Sequence, residues 1–278
     1  INYGIDFAGG LNISYNMGQT FSVDDVSDAL STQGLSGFSV SVSGENGSIA
    51  QIRIPQLASE DEIQDLQLAL EEALLPSYPN MDTDNATASY VGPVAGATLV
   101  RNAVISVLLA TALMLVYIAL RFDFASGLAA VIGLVHDVLI MIAFMVLLRS
   151  IIQINSSFIA AMLTIVGYSI NNTIVIFDRI RENNKKPAYA GMKREEMVSI
   201  SVRESLGRTI NTTLTTLVTI VTLYILGVDT IREFSLPIIV GILAGAYSAN
   251  MINGYVWAAL EEMRLARKGQ KKLKAKKA

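Results

Sequence analysis

Along residues 1–97 apolar and polar positions alternate in short runs, and from Thr98 onward the pattern changes to long, almost unbroken apolar stretches. Within the first region GLNISYNM (10–17) alternates with period two and predicts a strand. SVDDVSDALSTQG (22–34) opens on Ser22 as N-cap, carries acids in its first turn and ends at Gly34, which predicts a helix. GFSVSVSG and SIAQIRIP alternate on either side of Gly44-Glu45-Asn46-Gly47 and predict a β-hairpin. SEDEIQDLQLALEEAL (59–74) sets Ile63, Leu66, Leu70 and Leu74 at helical intervals behind the N-cap Ser59, and ATASYVG is a candidate last strand. The order is βαββαβ, that of a small α+β ferredoxin-like unit.

Five apolar stretches follow, near residues 101–121, 124–148, 154–177, 209–227 and 236–260. Each is long enough to cross about 30 Å of hydrocarbon as a helix. The chain therefore divides into residues 1–97, a helical polytopic membrane domain over 98–262, and a basic tail over 263–278. Five spans put the two ends on opposite sides. With the C-terminus in the cytoplasm, Arg121, the 179–208 loop and the tail place 17 Lys/Arg inside and leave Arg53, Arg101, Arg149 and Arg232 outside. Residues 1–97 are then extracytoplasmic. A domain on that side needs delivery, and the chain starts at Ile1 with no signal peptide, so a further span upstream and a native count of six are expected.

Composition agrees with the membrane assignment: 52% of the 278 residues are apolar and 16% charged. Residues 1–97 hold 13 Asp/Glu against Arg53 alone, and the remainder holds 20 Lys/Arg against 11 acids. Such an acidic domain argues against a nucleic-acid partner. With no cysteine and one histidine, His136, neither disulfides nor a protein-only zinc site are expected. The tail RLARKGQKKLKAKKA reads as a topology anchor and a contact for anionic membrane lipid, with a ribosome or translocase contact as the alternative.

Polar residues inside the spans carry the candidate chemistry. In TIVGYSINNTIVIF, Tyr168, Ser169, Asn172 and Thr173 form one arc with Thr164 two turns back, and Asn171 sits beside it. In the next span Arg208, Thr212, Thr215, Thr219 and Thr222 share a stripe, a face expected to meet other helices or water rather than lipid tails. For a single Ser, Thr or Asn, interhelical hydrogen bonding is the plain reading. For Asp137, next to His136 near mid-helix, a functional site is the default, because an ionisable group in hydrocarbon is expensive. Gly241, Gly245 and Ala249 repeat every four residues, which predicts close helix packing. Asn172 lies six residues, about 9 Å of rise, before Asp178 at the boundary. If the helix carrying Arg208 begins upstream, Arg208 and Asn172 reach similar depths and can face each other.

Taken together, YGIDFAGG (3–10), VHDV (135–138), GYSINNTIVIFDRIREN (167–183) and LGRTINTTLTT (206–216) resemble the SecF family of bacterial protein-export membrane proteins, part of the resistance–nodulation–division superfamily. The resemblance covers essentially the whole chain. It implies a multi-pass protein of the plasma membrane that works with SecD, in contact with the SecYEG channel and a YidC-type insertase. It also implies use of the proton-motive force to help exported polypeptides finish crossing. Gly4, Asp6, Phe7, Gly9 and Gly10 fall in the family's N-terminal motif. The fourth-span signature of the family reads Asn-Asp, with the aspartate relaying protons beside an arginine that matches Arg208. Here Asn172 stands at the aspartate position, and an amide cannot titrate. Asp137 and Asp178 are the remaining acids able to compensate. Neither a nucleophile–base pair, a nucleotide loop nor a metal cluster is visible, so no enzyme and no cofactor are expected. A non-transducing scaffold joining SecD, channel and insertase is one alternative, made more credible by Asn172. A small-molecule or lipid exporter of the same superfamily is another.

Overall fold

The computed structural model describes residues 4–32, 34, 37–44, 46–54, 61–149 and 153–277. Tyr3, Glu45 and the expected N-cap Ser59 lie outside the described residues. The chain divides into two compact units, one of Ile1–Val104 with Ser150–Ser156 and Val228–Thr230, the other of Ile105–Arg149, Ser157–Gly227 and Ile231–Ala278.

The α+β unit contains a single helical turn, α1 (Ile5–Ala8), then β1 (Gly10–Asn16), α2 (Val23–Thr32), β2 (Ser39–Ser43), β3 (Ile49–Ile54), α3 (Asp61–Leu74) and β4 (Asp82–Val91). The sheet runs β2-β3-β1-β4 with each neighbouring pair antiparallel. In this register Ile13 pairs with Ile52 on one side and Ala88 on the other, so the period-two pattern brings apolar side chains to one face. Leu11, Ile13, Tyr15, Ile52 and Ile54 are buried there against Val26 and Leu30 of α2 and Leu70 and Leu74 of α3. Each such side chain contributes about 1.5–3 kcal/mol of burial. Ser22 caps α2, its Oγ accepting the Asp24 N–H at 3.2 Å. β4 starts four residues before the run ATASYVG, because Asp82 pairs with Asn16 across an irregularity in the ladder that polarity alone does not reveal.

The long helices are α4 (Pro93–Arg121), α5 (Phe124–Leu147), α6 (Ser156–Asn183), α7 (Arg194–Leu226), α8 (Asp229–Ser248) and α9 (Gly254–Lys277), with a π-helical turn, Ala249–Asn253, joining the last two. They supply five stretches long and apolar enough to cross a membrane, the fifth running through α8 and α9. Several helices outrun their expected spans: α4 starts at Pro93 rather than near 101, and the last span runs Thr230–Arg267 rather than 236–260. The 33 residues of α7 measure about 50 Å, since its polar first half also packs, with Met197, Val198, Ser201, Val202 and Ser205 buried at helical spacing. Helix α6 likewise continues to Asn183. Small residues set the closest approaches: a Cβ on Gly241 would meet Ile165, one on Gly245 would meet Ser169, and one on Gly133 would meet Asn253.

Candidate functional site

Asp137 of α5 is wholly buried and is the one buried carboxylate among the described residues. Its Oδ2 accepts hydrogen bonds from Ser169 Oγ of α6 at 2.6 Å and from Ser248 Oγ at the end of α8 at 2.9 Å. Its Oδ1 lies 3.0 Å from His136 Nδ1, and the half-buried imidazole leans on Tyr247 with ring centroids 6.0 Å apart. The close approach that brings Ser169 to this carboxylate is made by Gly245, one turn before Ala249. Bonds of this charge-assisted kind are the strong ones, and three partners around one carboxylate hold it in a single orientation.

From Ser169 the polar seam continues along α6. Thr173 Oγ1 donates to the Ser169 carbonyl at 3.0 Å and accepts from Asn253 Nδ2 at 2.7 Å. On α7, Thr209 Oγ1 donates to Asn250 Oδ1 at 3.2 Å, while Asn250 Nδ2 donates to the Ala246 carbonyl at 2.7 Å. Asn250 and Asn253 both belong to the π-turn, a feature found often at functional sites. Asn172 is buried beside this seam, and its Nδ2 finds no partner among the described residues; the same holds for Tyr168 Oη, Thr213 Oγ1 and Asn253 Oδ1. With Ser235 Oγ and Trp257 Nε1 the described residues of the helical unit hold six such atoms, unusual where buried polar groups are nearly always bonded.

A family profile described as protein export membrane protein SecD/SecF, C-terminal, matches residues 71–263. The chain belongs to the SecD/SecF family. It is 36% identical over 276 residues to a protein translocase subunit SecF from Alicyclobacillus acidocaldarius, covering 97% of this chain and 87% of that one. A SecF from Thermodesulfovibrio yellowstonii is 35% identical over 249 residues, covering 89% and 80%. Protein translocase subunit SecDF of Bacillus subtilis is 33% identical over 262 residues, and there this chain spans 34% of the relative's length. A crystal structure of SecDF from Thermus thermophilus superposes with TM-score 0.80 at 34% identity, over 94% of this chain and 34% of that one.

Within this SecD/SecF chain the residues singled out in the sequence separate into three groups. Asp137, His136, Ser169 and, one turn on, Asn172 come together in the helical unit. Asn171 and Asp178 are exposed, and Asp178 pairs with Arg121 at 3.6 Å. Arg208 is exposed and forms neither a hydrogen bond through its side chain nor an ion pair with any described residue, so the expected approach to Asn172 is not made. The stripe through Thr212, Thr215 and Thr219 is not the face α7 packs with. Thr215 and Thr219 are exposed and return their hydroxyls to carbonyls of their own helix. Ser205, Thr209 and Thr213 are buried instead, about 100° round the helix, the angle between consecutive residues. The N-terminal motif has a structural part in the α+β unit. Asp6 Oδ2 accepts the Ser156 N–H at 2.8 Å, Gly4 N–H donates to the Ile154 carbonyl at 2.8 Å, and a Cβ on Gly96 would press on the Phe7 carbonyl. Ser248, Asn250 and Asn253 were not anticipated; their signal is three polar residues inside the otherwise apolar stretch AYSANMINGY.

Proposed function

We propose that this chain is a membrane subunit of the protein-export machinery that pairs with a SecD-type half and couples an ion gradient to late export through Asp137. The observation that carries the reading is the wholly buried carboxylate ringed by Ser169, Ser248 and His136. An acid in the middle of an apolar helix persists where it has work or a partner. Its neighbours are hydroxyls and an imidazole, groups that pass or accept a proton, while the amide of Asn172 orients partners without titrating. Pairing with SecD is supported by relatives whose name joins the two, and by the uncovered α7 stripe, since Arg208 and two threonines facing lipid would be expensive and a second helical half would cover them. The antiparallel order β4-β1-β3-β2 with both helices on one face supports a ferredoxin-like unit, and the distribution of basic residues supports placing it outside the cytoplasm. Contacts with a channel and an insertase belong to the same reading.

The test is completion of export in vesicles carrying the protein with its SecD, with and without an imposed proton gradient. Asp137→Asn keeps size and most hydrogen bonds and is expected to remove the gradient dependence, whereas Asp178→Asn keeps it. Retained dependence in Asp137→Asn overturns the route. The scaffold reading rests on Asn172 standing where a relay aspartate is expected. It wins if the parent shows no gradient dependence and Asn172→Asp creates it.

A further inference from the structure

Away from the Asp137 seam, the helical unit has a second polar feature at the end of its spans. Helix α4 stops at Arg121, α5 starts at Phe124 and α6 leaves its apolar stretch near Asp178, and a pocket of about 150 Å³ opens where they end. Phe122, Asp123, Phe177, Arg181, Asn184 and Trp257 line it. The walls are fixed by stacking. Phe122 meets Phe177 edge to face with centroids 6.1 Å apart, and the Arg121 and Arg181 guanidinium carbons lie 5.3 and 6.0 Å from the Phe122 centroid.

The charges at this pocket are not matched by the chain itself. Asp178 is taken by Arg121, and Glu182 and Glu204 are taken by Arg179. Arg181 therefore forms no ion pair among the described residues; its Nη1 donates to the Arg121 carbonyl at 3.3 Å and its other N–H groups are not so engaged. Asp123 accepts the Ser126 N–H at 2.7 Å as the cap of α5 and likewise has no cation paired to it. One cation and one anion thus line the same pocket without bonding to each other, which leaves room for a group that satisfies both. The pocket sits at the depth where helix ends meet lipid headgroups, beside the aromatic side chains typical of that level.

We propose that this pocket binds the headgroup of a phospholipid bearing a primary amine, with the phosphate on Arg181 and the ammonium on Asp123. A phosphate accepts from the guanidinium edge in charge-assisted bonds. An ammonium with N–H donors suits the carboxylate better than a quaternary amine does, because the Phe122 ring that would attract a quaternary amine already meets two guanidiniums. A headgroup with phosphate alone leaves Asp123 unpaired.

Trp257 is the chain's only tryptophan, so its emission reports this pocket without labelling. The experiment titrates short-chain phosphatidylethanolamine, phosphatidylglycerol and phosphatidylcholine, and separately glycerophosphoethanolamine and inorganic phosphate, into the purified chain in detergent. The expected result is a saturable change with phosphatidylethanolamine and with glycerophosphoethanolamine, the other two lipids binding about tenfold more weakly. Arg181→Gln and Asp123→Asn each lower that affinity about tenfold, the size of one charge-assisted bond. Asparagine caps helices as well as aspartate, so Asp123→Asn keeps the fold, which far-ultraviolet circular dichroism checks. Equal responses to the three lipids, inorganic phosphate binding as tightly as the amine headgroup, or an unchanged affinity in either variant overturns the proposal.

Discussion

Each of the two units of this chain has fully buried side chains, and the two arrange polarity in opposite ways. In the α+β unit the centre is Leu11, Ile13, Ile52 and Leu70, and the polar ends of its buried aromatics reach outward, Tyr15 Oη to Glu71 at 3.5 Å and Tyr78 Oη to Asp25 at 2.9 Å. In the helical unit Asp137, Ser169, Asn172 and Asn253 are inside, while Leu108, Leu113 and Leu120 point out. Water explains the first arrangement, since removing apolar surface from it is the main driving force. Lipid tails are as apolar as leucine, so in the second unit helices gain nothing from hiding leucine and rely on close contact and hydrogen bonds.

The sharpest break of this contrast is one truncation in each unit. Ile13→Ala leaves a void among fully buried neighbours and is expected to destabilise the α+β unit by about 2–5 kcal/mol. Leu113→Ala removes a side chain that is 61% exposed in α4 and is expected to change stability by less than about 0.5 kcal/mol. Amide hydrogen exchange over β1 and α4 of the full chain reads both. Comparable losses at the two positions would mean that the helical unit is held by apolar burial after all.

Close contact is tested next. Gly241→Ala drives a methyl into the branched Ile165 side chain and is expected to cost about 1–3 kcal/mol, seen as a lower melting temperature in detergent. Gly167, with nothing within 4 Å of the added carbon, is the control, and alanine there is expected to be neutral or to stabilise α6 by up to about 1 kcal/mol. If both substitutions are harmless, small residues are not what brings these helices together.

The same contrast explains what was legible beforehand. Alternation located β1 and the hairpin because one side of each meets water and the period then shows in the sequence, and end signals at Ser22 and Gly34 located α2. Apolar runs located the five spans for the simpler reason that hydrocarbon must be crossed. Asp137 stood out because a carboxylate in such a run is rare, and Ser169 and Asn172 because they lie on one arc with each other. Rotation of α7 was not legible. Threonines occur on both faces of that helix, and which face packs is decided by Asn250 and by small residues on other elements. The π-turn was hidden too, since a one-residue widening leaves no period to read.

Alkaline pH separates the units on a smaller scale. Burial, then the charge of Glu71 and the hydrogen bond to it, push the Tyr15 phenol above the ordinary tyrosine range. A pKa raised in the folded state means the stabilisation is complete below the unfolded value of about 10 and is lost as pH rises through that value toward the folded one. The α+β unit is expected to lose about 1.4 kcal/mol per pH unit above about pH 10 from this group. Tyr15→Phe removes that slope, with a remainder from Tyr78, whose phenol burial also raises. Denaturant unfolding of parent and variant at several alkaline pH values measures the difference, and identical slopes would show that Tyr15 is not the sensitive group.

The smallest effects sharpen the contrast most, because they lie on two sides of one helix. Thr213 is buried with an unpaired Oγ1, and Thr215 is exposed with its hydroxyl returned to the Asn211 and Thr212 carbonyls. Replacing an unpaired buried hydroxyl by a methyl of the same shape relieves a desolvated group, so Thr213→Val is expected to stabilise the isolated chain by up to about 1 kcal/mol. Thr215→Val removes a bond that the helix supplies to itself and is expected to leave the isolated chain unchanged within about 0.5 kcal/mol. In vesicles with SecD the order reverses at position 215, where the polar stripe would meet the second half, and association weakens by about 0.6 kcal/mol, the mean for one interhelical bond. Melting of the purified chain and co-purification with SecD, read on both variants, separate the two faces. If Thr215→Val pairs with SecD as the parent does, the stripe is not that interface; if Thr213→Val lowers the melting temperature, its hydroxyl is bonded and the seam beside Asn172 is closed rather than open.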